Sequence, residues 1–181
     1  MKGMVFTEFL EMVEARWSPD LADELLESTQ LASGGHYTAV GTYGHEELVA
    51  LVKGLSARVG AEVPDLVRAF GQHMFGRFVQ GYPGFFENVD DAFVFLSRIE
   101  DVIHVEVLKL YPDALLPRFD VESGDDDTMT LIYRSSRHFE DLAHGLIEGC
   151  LAHFGERARI ERDVIVDAVG PGIRFKLTRI R

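Results

Sequence analysis

Up to Pro112 the apolar residues recur at three- and four-residue steps, and after Pro117 they switch to alternation, so the chain divides into a helical front and a strand-rich back. Val5, Phe9, Met12 and Val13 mark a short first helix that stops before Ser18-Pro19. Ser18 then fits an N-cap with Pro19 at the first helical position, opening a second helix through about Glu27. Residues 32–44 carry four glycines and little periodicity and read as a loop. A third helix spans about 45–59, with Leu48, Val52, Leu55 and Val59 as its buried stripe and Gly60 as its stop. A fourth begins at Pro64 and keeps Val67, Phe70, Met74 and Phe78 in step until Gly81 and Pro83 break it. Leu96, Ile99, Ile103, Val107 and Leu110 then predict a helix that ends near Pro112.

The back of the chain has the other period. Residues 118–122 and 129–136 read as strands joined by a turn at 123–128. Phe139, Leu142, Ala143, Leu146, Ile147, Cys150 and Phe154 predict a strongly amphipathic helix. Residues 159–166 and 173–180 close the chain as a hairpin around a Val-Gly-Pro-Gly turn at 169–172. The expected fold is α+β: a helical N-terminal part and a C-terminal four-stranded antiparallel sheet with packed helices. At 181 residues, without an internal repeat or linker, one domain over 1–181 is expected.

Charge and composition narrow the partners. A net charge of −12 disfavours nucleic acid and anionic lipid. The only basic candidate, Arg174, Lys176, Arg179 and Arg181, alternates with apolar residues and reads as the wet face of a strand. No apolar run approaches a membrane span and no leader pattern opens the chain, so a cytoplasmic protein is expected. Cys150 is the single cysteine and falls on an apolar helix face, as a small hydrophobe.

Several motifs exclude more than they assign. The glycine-rich 32–44 loop lacks the Gly-Lys-Ser/Thr ending of a phosphate loop. Asp125, Asp126 and Asp127 lack the glycine and distal glutamate of a calcium loop and read as a solvated turn. His104 stands at the border of the buried stripe, with Glu100 and Asp101 one turn away on one side and Val107 and Leu108 on the other. Alone it reads as a boundary residue. On the strand at 129–137, Tyr133, Ser135 and Arg137 share a face. A phenol, a hydroxyl and a guanidinium suit a bound carboxylate, and equally suit an edge strand facing water.

Taken together, His104, Pro117 and the Tyr133-x-Ser135-x-Arg137 strand resemble the haem nitric oxide/oxygen binding family, H-NOX, also found at the sensing end of soluble guanylate cyclase. The resemblance runs from Met1-Lys2-Gly3 through Tyr82-Pro83 and Phe86 to the final hairpin. It implies a haem b (iron protoporphyrin IX) buried between the two halves. His104 would be the iron ligand, Tyr133, Ser135 and Arg137 would clamp the propionates, and Pro117 would press on the porphyrin. Val5, Phe9, Met74, Phe78, Leu142 and Leu146 would form the wall over the iron. All six are apolar, and Leu142 stands where oxygen-binding members of the family carry a tyrosine. Dioxygen is retained where a distal donor can hydrogen-bond it, whereas nitric oxide depends much less on such a donor. The resemblance therefore implies a sensor, with no enzyme activity, that binds nitric oxide and carbon monoxide and rejects dioxygen. It implies signalling in trans through release of His104, to a histidine kinase or a cyclic-di-GMP synthase or phosphodiesterase. His45, with Glu46 and Glu47 beside it, occupies the position where an acidic residue often supports the propionate-binding arginine. With Cys150 alone, the zinc site of some members cannot form. A hydrolase using His104 with Glu100 or Asp101 lacks a nucleophile or metal pair beside it, and a haem-free helical interaction module remains the alternative.

Overall fold

A computed structural model of the chain describes residues 1–180, so Arg181 of the basic C-terminal run lies outside the described residues. The helical front follows local signals closely. Helix α1 (Gly3–Arg16) buries Phe6, Phe9, Met12 and Val13. Helix α2 (Pro19–Ser28) is capped by Ser18, whose Oγ accepts the Leu21 N–H at 3.1 Å. Helix α3 (His45–Val59) ends at Gly60 with φ 70°, the left-handed cap that glycine adopts without steric cost. Helix α4 (Val63–Gly81) follows. The glycine-rich loop between α2 and α3 is held by a buried carboxylate: Ser33 Oγ and the Tyr37 hydroxyl donate to Glu47 Oε2 at 2.6 and 2.7 Å.

The segment carrying His104 departs from the single helix expected. Helix α5 (Ala92–Ser97) stops at Arg98, with φ −96° and ψ 1°. The chain re-enters a π-helical turn over Ile99–His104 and continues as α6 (Val105–Leu110). The Arg98 carbonyl accepts from both the Val102 N–H at 2.9 Å and the Ile103 N–H at 3.2 Å. One residue more than an α-helical turn is thereby accommodated just ahead of His104, an arrangement frequent at functional sites.

The back half is the four-stranded antiparallel sheet expected, in the order β1-β2-β4-β3, built from β1 (Arg118–Gly124), β2 (Thr128–Arg134), β3 (Ala158–Asp167) and β4 (Gly170–Arg179). Helix α7 (Glu140–His153) links its two hairpins. Two boundaries differ from expectation. Strand β2 ends at Arg134, so Ser135 and Arg137 lie just past the hydrogen-bonded ladder. The last turn sits at residues 168–169, because Asp167 Oδ1 accepts the N–H groups of Val169 and Gly170 and fixes the reversal earlier. The acidic turn is likewise closed by a side chain, Asp125 Oδ1 accepting from Asp127 N and Thr128 N. Among the described residues no cluster of three or more metal-ligating side chains occurs and no helix is long and apolar enough to cross a membrane.

The interior is split into two apolar clusters. One joins α1 to α4 through Phe6, Phe9, Leu48, Leu55 and Phe70; the other joins the sheet to α5 and α7 through Phe93, Phe95, Leu131, Ile147 and Phe175. Helix α4 serves both, with Met74 in the first and Phe75 in the second. It crosses α7 at a pair of glycines, where a Cβ on Gly145 would lie 1.9 Å from the Arg68 carbonyl oxygen and one on Gly71 would lie 2.3 Å from that of Leu142. Backbone therefore meets backbone at this crossing.

Candidate functional site

The gap between the two clusters is a cavity of about 340 Å³. Met74 and Phe78 of α4, Val5 of α1, and Leu142 and Leu146 of α7 form one wall. Leu96, Ile103, His104 and Val107 form the opposite one, and Leu115 and Pro117 of the following loop close its side. The size and the apolar lining suit a small-molecule or cofactor site.

His104 brings the one imidazole into this lining, with only 14% of its side chain exposed. Its Nδ1 lies 3.0 Å from Glu100 Oε1. The same oxygen accepts the Phe119 backbone N–H at 2.6 Å. Burial pulls the His104 pKa below its ordinary value, and the Glu100 carboxylate opposes this without reversing it. Near neutrality the ring is uncharged, and with Nδ1–H given to Glu100, Nε2 keeps its lone pair.

The triplet expected at the strand edge also reaches the cavity. Tyr133, Ser135 and Arg137 all line it, whereas Ser136 and His138 are exposed, so the alternation of faces persists past the end of β2. Burial raises the Tyr133 phenol, which stays protonated beside Ser135. Ser135 Oγ accepts the Arg137 N–H at 3.2 Å, and Arg137 Nη1 donates to the Leu115 carbonyl at 2.9 Å. His45 makes its contacts elsewhere, with Glu46 at 3.2 Å and edge-on with Phe139 at 6.2 Å; the anchor of Arg137 is the Leu115 carbonyl.

Of the six residues expected over the iron, Val5, Met74, Phe78, Leu142 and Leu146 line the cavity and Phe9 does not. Phe9 is fully buried in the helical cluster, edge-on to Phe70 at 5.3 Å, because α1 turns that face toward α4. Phe139, just ahead of α7, lines the cavity instead. Two lining tyrosines escaped the sequence reading as site residues. Tyr82 stands near Tyr111, its phenol pushed up to about 12 chiefly by burial. Beside them Lys2 Nζ contacts Asp113 Oδ1 at 2.6 Å, tying the start of the chain to the residues after α6. The Tyr82-Pro83 pair was the available signal for the first; nothing local marks the second. Cys150 is buried, its thiol pushed up by burial, and serves as a core residue.

A helical lobe and a sheet enclosing an apolar cavity, with a neutral imidazole in one wall and a phenol, a hydroxyl and a guanidinium at one edge, define a protein built to enclose a flat apolar cofactor that carries acidic groups. Residues 2–162 match the family described as Haem-NO-binding, and the chain belongs to this H-NOX family of haem-binding gas sensors. The chain is similar to the H-NOX protein of K. algicida in its Fe(II) unliganded form, at 36% identity and TM-score 0.91, covering 100% of this chain and 97% of that one. The solution structure of the IWP-051-bound H-NOX of Shewanella woodyi in the Fe(II)CO state is 40% identical with TM-score 0.84, covering 99% and 95% of the two chains. The S. oneidensis H-NOX in the Fe(II)NO state is 28% identical with TM-score 0.90 over 100% of both. No curated protein sequence matches the chain. The donor set fits the group that the family binds: one ring nitrogen carries a free lone pair, three donors cluster at one edge, and the remaining walls are chiefly apolar.

Proposed function

We propose that residues 1–181 form one haem b sensor domain that binds nitric oxide and carbon monoxide, rejects dioxygen, and signals in trans. The carrying observation is the single cavity shared by His104 and the Tyr133, Ser135, Arg137 triplet. Haem, when bound, supplies a ferrous iron that takes up diatomic gases. His104, with its Nδ1 turned to Glu100, would hold that iron through Nε2. Tyr133 and Ser135 hydrogen-bond the propionates and Arg137 neutralises them, its guanidinium held in place by Leu115. Pro117, which lines the cavity, would press on the porphyrin.

Val5, Met74, Phe78, Leu142 and Leu146 offer no side-chain hydrogen-bond donor, which supports discrimination against dioxygen, the ligand that needs one. The Fe(II)NO and Fe(II)CO forms of the S. oneidensis and S. woodyi relatives support the two gases as ligands. Release of His104 on gas binding would free α6 to move, changing the face that a partner reads. The partner is a histidine kinase or a cyclic-di-GMP synthase or phosphodiesterase. This action belongs in the cytoplasm, a reducing compartment that suits the lone unpaired Cys150.

Absorbance spectroscopy tests the reading. The purified protein loaded with haem gives a Soret band that is lost in His104→Gly and restored by added imidazole. A Soret spectrum unaltered in His104→Gly refutes His104 as the ligand, and a stable oxygenated spectrum in air refutes the exclusion of dioxygen.

A further inference from the structure

Resting on the reading of His104 as the iron ligand, we propose that Glu100 is its positioning residue and sets how firmly the imidazole holds the metal. The two stand four positions apart along the π-helical turn, and Glu100 Oε1 meets His104 Nδ1 at 3.0 Å. The carboxylate is itself tethered: the same oxygen accepts the Phe119 N–H at 2.6 Å, at the start of β1. A backbone donor on a sheet strand therefore fixes the acceptor, and the acceptor fixes the tautomer and orientation of the ring. The Phe119 ring, 6.2 Å from the imidazole, limits tilting from another side. Asp101, the other nearby acid, is exposed and makes no such contact.

An acceptor of full negative charge on Nδ1–H pushes electron density toward Nε2 and makes it a more basic ligand than a backbone carbonyl would. Glu100 thus opposes the release that the signalling step requires, so its strength tunes the threshold of the sensor. When His104 lets go, Glu100 keeps its bond to Phe119, so the ring has a fixed group to return to.

The test uses the full chain loaded with iron protoporphyrin IX in the ferrous, gas-free state. Resonance Raman spectroscopy reads the iron–histidine stretch, and transfer of haem to an excess of a haem-scavenging globin reads how firmly it is held. Glu100→Gln is isosteric, and its amide oxygen can still accept the Phe119 N–H while the negative charge is gone. The stretch is expected to move to lower wavenumber, with haem loss faster by roughly 10- to 100-fold, the usual effect of removing the partner of a metal-bound histidine. Glu100→Ala is expected to match it, and Glu100→Asp, which retains a carboxylate, to recover most of the wild-type frequency. Should one variant fold poorly, the frequency in the others still decides. A stretch unmoved in both Glu100→Gln and Glu100→Ala overturns the proposal and leaves His104 as the ligand. A wild type without this band, or a His104→Gly variant that retains it, overturns the ligand reading and the proposal together.

Discussion

Alanine at position 145 is a change the fold can absorb only by moving two helices apart. Its Cβ would sit 1.9 Å from the Arg68 carbonyl oxygen and 2.9 Å from the Gly71 Cα. An ordinary carbon–oxygen contact is about 3.3–3.6 Å, so α4 and α7 would have to separate by roughly 1.5 Å. Neither atom belongs to a side chain that can swing aside; both are backbone within α4. Overpacking of this kind costs about 1–3 kcal/mol, and at roughly 2–4 °C per kcal/mol for a chain of this size the melting temperature should fall by about 2–12 °C. The distal wall moves with it, since Leu142 and Leu146 flank Gly145 on α7 while Met74 and Phe78 face them from α4. Thermal denaturation followed by circular dichroism, beside the Soret spectrum of the loaded protein, reads both effects. The internal control is Gly76→Ala, in the same helix α4, where nothing lies within 4 Å of the added methyl and a gain of about 0.5–1 kcal/mol is expected from helix propensity. If Gly145→Ala melted at or above the wild-type temperature, the close crossing of α4 and α7 would be wrong.

Two further changes probe other parts of the argument. Leu142→Tyr adds a hydroxyl donor to the distal wall; a hydrogen bond to a partly charged acceptor contributes about 1.5–3 kcal/mol, so the ferrous protein should retain dioxygen roughly 10- to 150-fold more strongly, read as an oxygenated spectrum in air. Unchanged rejection of dioxygen would show that donor supply is not what excludes it. Asp91 caps α5 through the Val94 N–H at 3.0 Å and pairs with Arg179 at 2.7 Å. Burial pushes its carboxyl up, but the Val94 N–H and Arg179 outweigh this and leave the pKa below the usual carboxylate range. A depressed folded pKa contributes stability above the unfolded carboxylate pKa and loses it as pH falls through the folded value. Asp91→Ala should therefore melt about 2–4 °C lower near neutrality, for a cap of about 1 kcal/mol, with the gap closing below about pH 4. A gap that persisted in acid would assign the loss to something other than the ionised carboxylate.

Local chemistry made the helical front legible. Ser18-Pro19 and Gly60 mark boundaries through capping and a left-handed residue, and neither needs a distant partner to be recognised. The turn at Ile99–His104 was not legible, because Leu96, Ile99, Ile103 and Val107 keep the spacing of an ordinary helix whether or not one turn is widened. Similarly, Tyr133-x-Ser135-x-Arg137 alternates past the point where β2 loses its partner, so the pattern overstated the strand while placing all three side chains in the cavity. Phe9 is missing from the cavity for a tertiary reason: α1 turns that face onto Phe70 of α4, while Phe139 enters from just ahead of α7. Glu100 was visible as an acid one turn from His104, but its tether to the Phe119 N–H joins residues 19 apart in sequence and has no local signature.

The doubled acceptance at the Arg98 carbonyl has one more consequence. An α-helix advances about 100° per residue, so letting the extra residue slip out of the widened turn would swing everything beyond it, His104 first, through about that angle. The break at Arg98 stands ready to take up the slack. A rotary reserve of one residue is therefore wound into the chain beside the imidazole, and under the proposed release of His104 it would turn α6 without melting it.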